Sequence, residues 1–164
     1  MTLIQKLGTA LIAALALASC GGQADTLTGS TSMLFSLKFD QVKLQIDTTS
    51  NILDVDYVKK NASGGDDDIA NVAFDLAQVN ASAGAKTDLA PDPSAANPKA
   101  IVTHNIQGEP HQPLPQVAIG SVTFDAYGTE RVAGRFYITF AQTEGQPSTT
   151  LNGTFDQKPN IAAQ

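Results

Sequence analysis

Residues 131–142, RVAGRFYITFAQ, alternate with a period of two. Val132, Gly134, Phe136, Ile138 and Phe140 fall on one side, and Arg131, Ala133, Arg135, Tyr137 and Thr139 on the other. Successive side chains of a β-strand point to opposite faces, so this stretch belongs to a sheet with one apolar face. Its neighbours repeat the signal. Residues 117–127 read as a strand, and in 149–156 (TTLNGTFD) Leu151 and Phe155 share a side. A turn around 128–130 separates the first two strands, and Gly145 and Pro147 mark the next turn. Short strands divided by turns predict an antiparallel meander.

Upstream the pattern is less regular. Residues 33–47 read as one long strand whose phase slips. Met33, Phe35, Leu37 and Phe39 share one face, and the apolar set then becomes Val42, Leu44 and Ile46. The slip requires a bulge or break near Asp40 and Gln41 and predicts that Phe39 and Val42 are both buried. Leu53, Val55 and Tyr57 alternate with Asp54 and Asp56 in a second strand, and 61–68 (NASGGDDD) reads as a turn or loop. Residues 69–79 fit a strand with Val72, Phe74 and Leu76 inward. They also fit a helix with Asn71, Asp75 and Gln78 on a polar face and three aspartates at its N-terminus. Phe74 falls off the apolar helix face, which favours the strand.

Residues 100–106 make a short strand. Six of the eight prolines lie between 91 and 115. Proline has no N–H to give to a sheet ladder, so 80–99 and 107–116 read as long irregular loops. All seven phenylalanines fall in segments read as strands. The expected fold is mainly β: a single antiparallel β-sandwich or partly open barrel over 32–158, with a C-terminal tail at 159–164.

The N-terminus has another character. Residues 1–6 carry one positive charge, Lys6, and residues 7–18 (LGTALIAALALA) are almost wholly apolar. Small residues and the single cysteine follow. A positive start, an apolar stretch of this length and a small-residue cleavage site describe an export signal. The uncharged run from Leu7 to Cys20 spans 14 residues, short of the roughly 20 that a membrane-spanning helix needs. Leu17-Ala18-Ser19-Cys20 resembles the lipobox of bacterial lipoproteins. The resemblance implies a signal peptide over 1–19, a diacylglycerol on the Cys20 sulfur, cleavage before that residue and acylation, commonly by palmitate, of the new amino group. It also implies a protein of the cell envelope attached to a membrane through Cys20. Gly21, where an aspartate tends to retain such proteins in the inner membrane, is permissive of the outer membrane in a Gram-negative cell. Residues 21–31 (GGQADTLTGST) are small and polar, and 20–31 is expected to be a lipidated flexible tether. A looser likeness covers the C-terminal forty residues. Gly120-Ser121-Val122-Thr123-Phe124, Gly134-Arg135-Phe136 and Leu151-Asn152-Gly153-Thr154-Phe155-Asp156 resemble the last strands of small β-rich envelope lipoproteins of unknown function. Glycine alternating with aromatics is a general sheet pattern, so this likeness implies a fold and no activity.

Beyond residue 19 the chain has 145 residues, with 9 basic and 16 acidic side chains and a net charge of −7. That suits one domain rather than two. A surface of this sign repels nucleic acid, so none is expected as a partner. With its one cysteine acylated the chain forms no disulfide, and stability must come from an apolar core.

Candidate sites are few. His104, Glu109 and His111 have zinc-ligand chemistry, but their spacing matches no recognised site, and solvated loop histidines are expected. Asp66-Asp67-Asp68 lacks the ligand spacing of a calcium loop and reads as an acidic turn; Asp54 and Asp56 can add to it only if folding brings the segments together. The triplets at Asn61, Asn80 and Asn152 match a glycosylation signal by chance in a bacterial lipoprotein. Arg131, Arg135 and Tyr137 lie on one outward strand face and can form a small patch for an anionic group or a partner. No nucleophile–base pair and no phosphate-binding loop occurs. The expectation is therefore a membrane-anchored, non-catalytic binding or structural module with an envelope protein or glycan as partner, needing no cofactor and no metal. The alternatives are a carrier of a small apolar ligand in a β-barrel and a hydrolase.

Overall fold

A computed structural model describes residues 24–107, 109, 112–145 and 147–162. The expectations for the signal peptide, Cys20 and His111 lie outside these residues. Within them, strands β1 (Thr26–Thr28), β10 (Thr150–Gln157), β9 (Val132–Phe140), β8 (Val117–Tyr127) and β5 (Lys86–Asp88) make one sheet, in that spatial order. The second sheet runs β11 (Asn160–Ala162), β2 (Gln41–Asp47), β3 (Ile52–Lys60), β4 (Asp66–Asp75), β6 (Ala100–Asn105) and β7 (Gln112–Pro113). The fold is mainly β, and its two sheets stack as a sandwich without closing into a barrel. Neighbouring strands are antiparallel, except that β11 lies parallel to β2. The meander β8–β9–β10 stands where the alternation places it, and 69–79 resolves as strand, its first seven residues completing β4.

The period-two faces become the two walls of the core. Leu53, Val55 and Tyr57 of β3 and Val72 and Phe74 of β4 are buried against Val122, Phe124, Phe136, Ile138, Leu151 and Phe155 of the other sheet. Aromatic rings cross between the sheets in edge-to-face contact, the arrangement ring quadrupoles favour. Tyr57 meets Phe136 at 6.2 Å between centroids, Phe136 meets Phe74 at 6.1 Å, and Phe74 meets Phe124 at 6.4 Å. Tyr57 is wholly buried and donates its hydroxyl to Thr154 O at 2.9 Å, so the ring's one polar group is satisfied across the sandwich.

Four segments depart from expectation. Residues 33–47 are not one strand. Ser30–Met33 forms a 3₁₀ turn, 34–40 crosses from one sheet to the other, and only Gln41–Asp47 is β. The apparent slip of face is the join between a crossing and a strand. Val42 is buried, and Phe39 is half-buried, packing edge-on against Tyr57 at 5.1 Å. Phe35 and Phe39 therefore lie outside strands. The expected tether is also shorter than 20–31, because Thr26–Thr28 pairs with β10. Asp25 accepts from Asp156 N at 2.9 Å and Gln157 Nε2 at 2.6 Å, and Thr31 Oγ1 donates to Thr150 O at 2.8 Å. Small polar residues read as linker by composition, yet here their side chains fasten an edge strand. Residues 159–164 are not merely a tail, since Asn160–Ala162 adds β11. The two proline-rich loops likewise contain the short strands β5 and β7.

Candidate functional site

The outward face of the five-stranded sheet carries the predicted patch. Cross-strand register sets its side chains in rows. One row runs Thr26, Thr154, Arg135, Thr123, Lys86; the next runs Thr28, Asn152, Tyr137, Ser121, Asp88. The face is built mainly from hydroxyl and amide groups, because outward positions of a sandwich strand meet water. Two exposed apolar side chains interrupt it, Tyr137 at 46% and Ile119 at 63% exposure. Thr139 Oγ1 donates to Tyr137 Oη at 2.9 Å and steadies the phenol on the sheet. A shallow hollow of about 290 Å³ lies beside it, lined by Lys86, Ser121, Thr123, Arg135, Phe136 and Tyr137.

The three predicted residues are not equivalent. Arg131 lies just before β9 and makes a two-pronged ion pair with Asp156, 2.7 Å from Nε to Oδ1 and 2.8 Å from Nη2 to Oδ2. That fork is met within the protein, so Arg131 is already paired where the expectation had it open to an anion. Arg135 uses Nη1 alone, toward both oxygens of Asp125 at 2.9 and 3.2 Å. Arg135 and Tyr137 do line one hollow. Lys86 joins them and was missed from the sequence, because it sits in a three-residue strand inside a segment that reads as loop. Lys86 has no carboxylate at ion-pair distance among the described residues.

The outward face of the other sheet is acidic. Asp54 and Asp56 of β3 stand beside Asn71 of β4, whose amide donates to both, at 3.3 Å to Asp54. Burial is the main cause of a raised pKa at Asp54 and pushes Asp56 up to about 6, with Asn71 opposing both shifts and neighbouring Asp68 and Asp54 adding to that of Asp56. The folded state thus holds the Asp56 proton more tightly than the unfolded chain does. That stabilisation is complete below pH about 4 and is lost as pH rises through about 6. Asp56→Asn is therefore expected to raise Tm by about 3 °C at pH 7 and to change little at pH 4. Thermal unfolding at the two pH values checks it, and an equal effect at both contradicts the burial account.

The remaining candidates lie in other settings. His104 is not a solvated loop residue. It is 5% exposed on β6, its Nδ1–H donates to Ile69 O at 2.8 Å, and its ring stacks on Phe35 with centroids 3.8 Å apart. Glu109 is exposed on its loop. Asp66, Asp67 and Asp68 begin β4 rather than a loop. Asp66 pairs with Lys43 and Lys60, and these hydrogen bonds hold its carboxyl below the usual range. Asp67 accepts from Asn61 Nδ2 and Gln107 N, both at 3.0 Å. Among the described residues no group of three His, Cys, Asp or Glu side chains is placed to hold a metal ion. Asn61 is the centre of its own turn, its Oδ1 accepting from Ser63 N at 3.1 Å and Gly65 N at 2.9 Å. Comparison of the chain with protein-family models, curated proteins and solved structures finds no match.

Proposed function

We propose that this protein is a lipid-anchored lipoprotein of the cell envelope that works as a non-catalytic binding module, with the outward face of the five-stranded sheet as its recognition surface. The observation that carries the reading is Tyr137. It lies on a central strand, is held by Thr139, remains 46% exposed and borders a hollow lined also by Lys86, Ser121, Thr123, Arg135 and Phe136. A steadied aromatic at the middle of a polar shelf suits contact with a ligand, since exposed aromatics with a polar tip serve interfaces well. The carrier reading has less support, because the interior is filled by Tyr57, Phe74, Phe124, Phe140 and Phe155 and the sheets form no barrel.

The anchor rests on Leu17-Ala18-Ser19-Cys20 behind its apolar run. Two or more acyl chains hold a protein stably at a bilayer. Hydrogen bonding to β10 begins at Ala24, four residues after Cys20. Four extended residues reach about 14 Å at most, so the lipid keeps the domain against the membrane surface. Metabolic labelling with a palmitate analogue tests this. The parent protein is expected to take the label and sediment with membranes, whereas Cys20→Ala does neither. If Cys20→Ala is processed and membrane-bound like the parent, the anchor is something else.

A further inference from the structure

We propose that the ligand of this face is an acidic glycan: a sugar carboxylate sits over Thr123 between Lys86 and Arg135, and Tyr137 carries the apolar face of a sugar ring. The proposal rests on the binding-module reading and names the ligand class for the same surface.

Charge placement is the first support. Lys86, Thr123 and Arg135 are directly opposed on three adjacent strands. Two strand spacings put the backbones of the cations about 10 Å apart, so their long side chains can converge on one carboxylate. Lys86 is exposed and has no acidic partner at ion-pair distance among the described residues. Arg135 commits only Nη1 to Asp125, an ion pair whose side chains are 55% and 40% exposed. Exposed pairs of this kind contribute little, and the rest of the guanidinium fork remains to meet a carboxylate in its plane. Asp88, in the next row, does not line the hollow and accepts from Ala90 N at 2.7 Å. The charged residues that line the hollow are thus both basic, on a protein that is acidic as a whole.

That contrast selects the occupant. A planar array of anionic headgroups, or a nucleic acid backbone, meets the net charge of −7 as well as the two cations, and long-range repulsion opposes it. A single carboxylate on a neutral chain meets only the cations. The hydroxyl-rich rows match a polyhydroxyl ligand, and Tyr137 gives the aliphatic face of its ring a flat partner. Protein interfaces instead draw on clustered aromatic and apolar anchors at their centre, whereas this face has Tyr137 and Ile119 alone as exposed large apolar groups.

The mature protein, in detergent micelles, should be titrated calorimetrically with oligosaccharides that carry one uronic acid each, among them aldotriouronic acid and the hyaluronan disaccharide, with neutral dextran oligosaccharides and glycerol phosphate, a soluble anionic headgroup, as references. Saturable binding of at least one acidic oligosaccharide is expected, with none for dextran. Tyr137→Ala and Lys86→Glu should each weaken it about tenfold, the loss that about 1.4 kcal/mol produces, while Tyr137→Phe keeps most of it. Circular dichroism of each variant confirms the fold. The proposal fails if no acidic oligosaccharide binds, if dextran or glycerol phosphate binds as well, or if the variants bind like the parent. The mass of the lipid on Cys20, read on the same sample, scores the anchor separately.

Discussion

Truncating Phe124 to alanine is expected to cost about 3–5 kcal/mol of stability, close to the whole margin of a small domain. Phe124 is fully buried. Its ring meets Phe74 of the opposite sheet at 6.4 Å, Phe155 of β10 at 6.0 Å and Tyr127 of its own strand at 5.9 Å, all edge-on. The lost transfer energy is only part of the cost. Phe74, Phe155 and the backbone of β8 are held by three different ladders, so none can move into the space without breaking sheet hydrogen bonds. A site that cannot collapse keeps its cavity and pays the upper end of the range. Urea unfolding should show a lower midpoint with an unchanged slope. Tyr127→Ala is the comparison. Tyr127 touches the same ring but is 40% exposed, so its loss should cost less than half as much. Equal costs for the two would mean that the aromatic chain is not the centre of the core.

The strands that were legible share one property: each buries one face and wets the other. In β8, β9 and β10 that condition produces period-two alternation directly, and the sandwich follows from three such strands with no helical signal between them. Illegible segments break the condition in identifiable ways. Edge strand β1 offers only Leu27 to the core, so its small polar neighbours look like linker until Thr150 O is there to accept from Thr31 Oγ1 and Asp156 N to donate to Asp25. The crossing at 34–40 has apolar residues with alternate spacing but forms no strand: Leu37 and Phe39 pack partly buried against the core, and Leu34 remains exposed at 48%, as Met33 before it does at 68%. His104 was misread because a proline-rich neighbourhood suggests a loop, while its partners, Phe35 and Ile69 O, are distant in sequence.

The candidate site was half legible for the same reason. Arg135 and Tyr137 announce themselves as outward positions of a strongly patterned strand. Which cation stays available is not a property of the pattern. Arg131 differs from Arg135 because Asp156 sits two-pronged across from it, and Lys86 enters because β5 lies on β8, with Lys86 opposite Thr123. Long-range pairing decides which charges are already spoken for, and a single sequence carries no record of that pairing.

Two inward glycines give the most stringent test of the packing. Gly153 lies directly opposite Phe136, and Gly134 directly opposite Phe155, on the paired strands β9 and β10. Each ring lies over the glycine across from it, an arrangement that shelters glycine backbone in a sheet. A Cβ at Gly153 would stand 2.4 Å from Tyr57 Oη and 2.5 Å from the Phe136 ring, and one at Gly134 would stand 2.5 Å from Thr123 O and 2.9 Å from the Phe155 ring. In an open strand, Gly→Ala stabilises by about 0.5–1 kcal/mol through chain entropy. Here overpacking should reverse the sign, and Gly153→Ala is expected to cost about 3 kcal/mol, since it also pushes Tyr57 from its bond to Thr154 O. Gly128→Ala serves as the reference. A Cβ there meets only Arg131 O at 3.9 Å, so its effect should stay within about 0.5 kcal/mol. A double-mutant cycle identifies the cause. Phe136→Leu shortens the ring that Gly153→Ala strikes, so the pair should be more stable than the sum of the single losses by about 1 kcal/mol or more. If Gly153→Ala costs no more than Gly128→Ala, or if the cycle shows no coupling, the rings do not rest on these glycines and the alternation of glycine with aromatics in this chain needs another explanation.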